Sequence, residues 1–351
     1  MPESSLGLLI LIVALAIGFG VANGFNDAAN AIATVIGTRV LSPRNAIIMA
    51  AFFNLAGAAT GTAVAMTIGR EILTPEVIPL EFSYVPVIAA LAAVIIWTTL
   101  ATYYGLPVSI SHGFIAGLAS AGIALAGTGA VMWGWGYRLS QTLLAVGIAP
   151  LLGFAGGFVL MVILFWVLRR TAPARIRSIF SNLQILSAAF MAYSHGKNDG
   201  QMPIGVIAMA LVIYYQQIDQ FEQAAAVWDR LPYGDLWWVI VLSALAISSG
   251  TAIGGWRVIR TLGLSITTLR PVHGFAAQAS AATVIEIASQ LGIPVSTTHC
   301  ISSSIMGVGA TRRLSAVRWG VAGNIVAAWI LTFPICGGLG YLFAWLLKLI
   351  A

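Results

Sequence analysis

The chain has 351 residues, of which 59% are hydrophobic and 8% charged, with a formal net charge of +6. A soluble globular protein carries roughly 25% charged residues, so a water-soluble fold is excluded. The positive charge is not a nucleic-acid signature either, because the arginines fall in short connections between apolar runs, where basic residues report membrane orientation. Cys300 and Cys336 both lie in apolar stretches and imply neither a disulfide framework nor a metal cluster.

In chain order, apolar runs at 6–21, 46–68, 85–102, 143–168, 236–253 and 319–347 each approach or exceed the ~20 residues that span hydrocarbon as a helix. No basic region precedes the first run and no small-residue cleavage site follows it, so it reads as the first helix rather than a leader. The expected fold is an all-α polytopic membrane protein of about 10–12 membrane segments.

Arginines cluster at Arg39 and Arg44, at Arg169, Arg170, Arg175 and Arg177, at Arg257, Arg260 and Arg270, and at Arg312, Arg313 and Arg318. Acids cluster at Glu71, Glu76 and Glu81 and at Asp219, Glu222, Asp229 and Asp235. Basic loops favour the cytoplasm. Placing the four Arg clusters inside and both acidic loops outside puts the N- and C-termini outside, and each half crosses an odd number of times. Parity is the same whether the segments around Pro107 and Pro294 cross fully or re-enter.

Two motifs recur in the same order. Gly24-Phe25-Asn26-Asp27 matches Gly196-Lys197-Asn198-Asp199, and the run from Gly105-Leu106-Pro107-Val108-Ser109 to His112 matches Gly292-Ile293-Pro294-Val295-Ser296 to His299. A first repeat over 1–168, a short basic cytoplasmic linker over 169–178 and a second repeat over 179–351 are therefore expected, as inverted-topology repeats with interrupted helices and two hairpins. Such designs place the binding site near the bilayer midplane between the repeats.

Asp27 and Asp199 are costly to insert, and an intramembrane acid is functional by default. The alternative, an interhelical hydrogen bond that only holds the fold, is weakened by the matched pair. Asn and Gly in 23–30 suggest a helix break there. Asp27 and Asp199 would then bind a cation or carry a proton, with Asn26, Asn30, Asn198 and Gln201 as neutral oxygen ligands. In the second motif, proline suits the first turn of a helix, and Ser109, Ser111, Ser296, Thr297 and Thr298 would offer hydroxyl and backbone donors to an anion. Hydroxyls bonded back to their own helix are the plainer reading of a single serine. His112 and His299 relay protons or pin the hairpins, and both readings stay open. His195 and His273 lack a repeat partner of the same kind and rank below them. Glu286 either couples protons or pairs with Lys197. No Walker motif is present, and no metal or cofactor is expected. A serine–histidine hydrolase is disfavoured, because Ser109 and Ser111 stand too near His112 in the chain to form a nucleophile–base pair on one helix.

With these residues in view, the chain resembles the inorganic phosphate transporter (PiT) family, in its short bacterial and archaeal form, over essentially its full length. The matching runs are 23–31, 194–201, 254–263 and the two Pro-Val-Ser-x-x-His motifs. The resemblance implies a secondary transporter of inorganic phosphate, with the Asn-Asp motifs serving cation coupling and the Ser/Thr motifs holding phosphate. The run Asp199-Gly200-Gln201-Met202-Pro203 departs from a second Asn-Asp-x-x-Asn and is similar to the bacterial proton-coupled branch, thought to carry neutral metal–phosphate complexes. The expectation is phosphate import at the cell membrane by proton symport. Sodium coupling and sulfate transport on the same fold are the alternatives. The expected partners are phosphate, membrane lipid and a second copy of the chain.

Overall fold

Inside lipid every backbone polar group must find its partner within the segment, and a chain this apolar meets that condition with helices. They are seen in a computed structural model that describes residues 2–350. Helix α1 (Pro2–Gly37) makes one uninterrupted crossing. Helix α2 (Pro43–Ala58) returns partway, and the chain bends by 68° into α3 (Ala63–Arg70). Helices α4 (Val85–Tyr104) and α5 (Ile110–Ala126) form a hairpin, and α6 (Arg138–Leu168) crosses back. In the second half α7 (Pro173–Asp199) runs through Gly200 into α8 (Gln201–Gln217), and α9 (Phe221–Tyr233) follows. Helix α10 (Trp237–Ile253) bends by 64° into α11 (Trp256–Arg260) and the wider turn that continues it. A second hairpin of α12 (Pro271–Gln290) and α13 (Thr297–Ala310) precedes the closing α14 (Trp319–Ile350).

Charge separates along the bundle. Ser5 donates to Gln217 (2.6 Å), Gln217 to the Leu80 carbonyl (3.0 Å), the Thr74 amide to Ala130 (2.9 Å) and Lys348 to Leu125 (3.4 Å). These bonds gather both chain ends and the acidic loops at one end. At the other end Thr38 donates to Gln184 (2.9 Å) and Arg318 to the Leu264 carbonyl (2.9 Å), joining the connections that carry the arginines.

Among the described residues four helices, Ser5–Gly37, Leu80–Tyr104, Leu139–Leu168 and Trp319–Ile350, are long and apolar enough to cross a membrane, or up to six spans if each bent pair counts as one. The most apolar window of the third is only 17% buried, so most of its surface is left for lipid. The other helices are shorter or more polar.

Three local expectations are corrected. Helix α1 runs through Asn23–Asn30 without a break; the interruptions fall at 59–62 and 254–255. The glycines serve packing instead. A Cβ on Gly24 would run into the Ile247 carbonyl of α10, and one on Gly196 into the Asn54 carbonyl of α2. Gly250 and Gly57 meet Val21 and Tyr193 in the same way. Small residues that let backbones touch are how membrane helices associate. Second, the prolines are not in the first helical turn: Pro107 and Pro294 precede the N-caps Ser109 and Ser296 by two residues. Third, only 169–172 connects the halves, because α7 already begins at Pro173.

Both hairpins turn back within the bundle. The first opens toward the acidic end and the second toward the basic end, and their tips meet inside the bundle. Each is covered by the last helix of the other half: α6 packs on α13 through Gly153 and Gly157, and α14 on α5 through Gly340.

Candidate cation and anion site at the centre of the bundle

The two hairpin tips deliver hydroxyls to the two carboxylates across the halves. Ser109 and Ser296 cap α5 and α13, each accepting from the amide three residues on (3.3 and 3.1 Å from His112 and His299). Those caps fix the first turns, so the next hydroxyls point at the acids. Ser111 of the first hairpin donates to Asp199 (3.2 Å), and Thr298 of the second donates to Asp27 (2.9 Å). Thr297 lies between the carboxylates, 2.8 Å from Asp199 and 3.3 Å from Asp27. Its counterpart in the first hairpin is Ile110, which has no hydroxyl, so this bridge is not duplicated. Asn30 donates to Thr297 (3.1 Å) and Thr298 (3.0 Å), orienting both.

His195 completes the cluster. It sits four residues before Asp199 on α7 and is fully buried, with Nε2 3.2 Å from Asp199 and 3.7 Å from Asp27. Its Nδ1 lies 2.8 Å from Asn54 Oδ1, and Asn54 turns its amide nitrogen to Thr251 (2.8 Å). The Asn54 oxygen therefore faces the ring and accepts the Nδ1 proton, which leaves Nε2 aimed at the acids. One ligand atom from each of Asp27, His195 and Asp199 lies within 4.8 Å of the others. Two full charges at that spacing repel by about 3 kcal/mol at an effective dielectric of 20. Hydrogen bonds to charged groups return about 1.5–3 kcal/mol each, while burying an ion costs several. The hydroxyls alone do not balance two ionised carboxylates, so the cluster calls for a positive charge. A proton, a sodium ion or a divalent cation would each meet it.

The other named residues divide. Asn26 donates to Thr102 (2.7 Å) and fastens α1 to the hairpin α4–α5. Asn198 instead accepts from Ser289 (2.9 Å) and donates to the Val295 carbonyl (3.1 Å) and to Asp199 Oδ1 (3.1 Å), so it ties α7 to the hairpin α12–α13 and also touches one of the acids. Gln201 accepts from the Val64 (2.8 Å) and Ala65 (3.3 Å) amides, capping α3 beyond the bend. Glu286 forms an ion pair with Lys197 and accepts from Gln290 (3.0 Å). His112 and His299 meet edge to face at 5.1 Å, backed by Phe333 (5.5 Å) and Trp329 (4.0 Å) of α14. None of their ring nitrogens reaches a partner among the described residues, and neither does Trp329 Nε1. These are three buried donor groups beside the hydroxyl cluster. His273 stands apart at the basic end, accepting from the Arg270 amide (3.2 Å).

Sequence reasoning ranked His195 too low. Aligning the Asn-Asp motifs places it opposite Asn23, and its spacing to Asp199 puts both on one helix face.

Two hairpin tips meeting buried acids inside a helical membrane bundle make an arrangement suited to passing a polar solute across the bilayer. The profile of the phosphate transporter family covers residues 23–340, and the chain belongs to that family. It is 40% identical to a probable low-affinity inorganic phosphate transporter of Bacillus subtilis (strain 168), over 98% of each chain. It is also 40% identical to a protein of the same description from Rhizobium meliloti (strain 1021), over 93% of this chain and 92% of that one. Among solved structures it is similar to one described as the sodium-dependent phosphate transporter, at 26% identity and a TM-score of 0.84, over 98% of this chain and 100% of that chain.

Proposed function

We propose that the protein imports inorganic phosphate across the cell membrane by symport with protons, through two oppositely inserted repeats, with both termini outside. The observation that carries the coupling is the double use of the hydroxyls. Ser111, Thr297 and Thr298 have one proton each, and in this structure those protons point at Asp27 and Asp199. A phosphate needs the same donors. They become free for it only when a cation neutralises the carboxylates, so cation and anion bind together. His195 is the residue that accepts the proton, on Nε2 between the acids. Ser109 and Ser296 set the helix N-termini, and His112, His299 and Trp329 supply the remaining donors around the anion. Asn30 holds the hydroxyls in register, and Glu286 with Lys197 stays structural.

Sodium is the second reading, favoured by the name of the similar structure. Carboxylate, amide and hydroxyl oxygens at this site suit a hard cation. Uptake into proteoliposomes under separately imposed proton and sodium gradients decides between them. The expected result is accumulation driven by the proton gradient alone. Asp27→Asn and Asp199→Asn should each reduce it to background while the protein inserts and purifies normally. Accumulation that follows neither gradient would sink symport.

A further inference from the structure

Every acidic residue among those described lies at the acidic end, in its loops, or in the interior as Asp27, Asp199 and Glu286; the basic end carries arginines with no carboxylate to pair with. At that end a cavity of about 650 Å³ opens between α6, α7 and α12, within the roughly 300–1,000 Å³ of small-molecule sites. Arg169, Arg177, Arg270 and Thr171 line it together with Phe165 and Leu164. Helices α7 and α12 both start at its rim, with Pro173 and Pro271 in their first turns, so their positive ends add to the field of the guanidiniums.

The cavity is joined to the central site by a polar seam. Thr38, which also lines it, donates to Gln184. Gln184 reaches Thr34 (3.4 Å), and Gln278, which accepts from Ser187 (3.1 Å), donates to the Ala31 carbonyl (2.8 Å). Positions 27, 30, 34 and 38 of α1 recur every three or four residues and so share one face. Gln184 is wedged against Gly274, where a Cβ would overlap its amide, and it closes the seam.

We propose that this cavity is a second anion site, which takes a single phosphate group on Arg169, Arg177 and Arg270. Planar guanidiniums bind phosphate oxygens in pairs, and no acid competes for them. The group has two sources: free phosphate leaving the central site along the seam, or the headgroup of an anionic phospholipid whose chains lie along Phe165 and Leu164. The inference rests on the transport reading for the first source and is independent of it for the second.

The test uses Arg177→Gln/Arg270→Gln in the full-length protein, reconstituted in phosphatidylcholine with or without phosphatidylglycerol. With free phosphate as occupant, inhibition of uptake by phosphate preloaded into phosphatidylcholine vesicles weakens several-fold in the variant. With lipid as occupant, phosphatidylglycerol stimulates wild-type uptake several-fold and leaves the variant unchanged. Native mass spectrometry then shows phosphatidylglycerol bound to the wild type and lost from the variant. Wild type and variant that coincide in all three measurements overturn the second site, even where Asp27→Asn still abolishes uptake. A wild type that carries no phosphate overturns the transport reading alone, and the mass spectrum still judges the cavity.

Discussion

At the scale of single residues, the proposed coupling is a competition for three protons on oxygen. Thr297 reaches both carboxylates, so on the proposed coupling its hydroxyl is the group whose loss both the cation and the anion would feel. Thr297→Ala should raise the KM for phosphate about tenfold or more, since a hydrogen bond to a charged group contributes about 1.5–3 kcal/mol, and Thr297→Ser should restore it. Uptake kinetics of the two variants give the answer. His195→Gln should keep the contact with Asn54 and lose the proton between the acids. Residual uptake should then stop responding to an imposed proton gradient, which a pH-jump assay measures. The acids and the motifs that carry the hydroxyls were legible in the sequence because they occur twice, although Thr297 itself stands opposite Ile110. His195 was not, because its repeat partner is an asparagine and its value comes from standing beside an acid contributed by another helix. The two halves are therefore unequal: Asn23, at the matching position, bonds to nothing among the described residues, although it is buried.

At the scale of elements, close helix contacts decide where glycine sits. A Gly→Ala change in an unstrained helix stabilises by about 0.4–1 kcal/mol, and Gly323 of α14, with no atom within 4 Å of an added Cβ, should follow that rule. Gly24→Ala and Gly196→Ala should do the reverse, because the methyl meets the backbone of α10 or α2 and overpacking costs about 1–3 kcal/mol. Thermal unfolding in detergent compares the signs. The glycines of the Asn-Asp motifs misled the reading of α1 for this reason: a glycine that serves tertiary contact looks, in sequence, like one that breaks a helix. Gln201 was similarly opaque. The amides it caps become free only because α2 and α3 are bent apart, and nothing near Gln201 in the chain announces that bend. The hairpins were visible from Pro107 and Pro294, but their depth was not, since it depends on where the opposite tip stops.

At the scale of the whole molecule, the separation of arginines from acids sets one axis, and both chain ends lie at the acidic end. Cysteines introduced at residue 6 and at residue 349 should therefore react with a membrane-impermeant maleimide from the same, outer side of intact cells. Cys300 and Cys336 are buried and should stay silent in that assay. Labelling from opposite sides would contradict the shared end. Synthesis adds a constraint of its own. Asp27 leaves the ribosome early, yet the threonines that hydrogen-bond it stand about 270 residues later, which at about 5–20 residues per second is a delay on the order of tens of seconds. Throughout that interval an ionised aspartate at the middle of a helix costs about 2.5–3.5 kcal/mol to keep in lipid. The nascent chain must therefore carry its first acid protonated, or shelter α1 in the insertion machinery, until the second hairpin arrives.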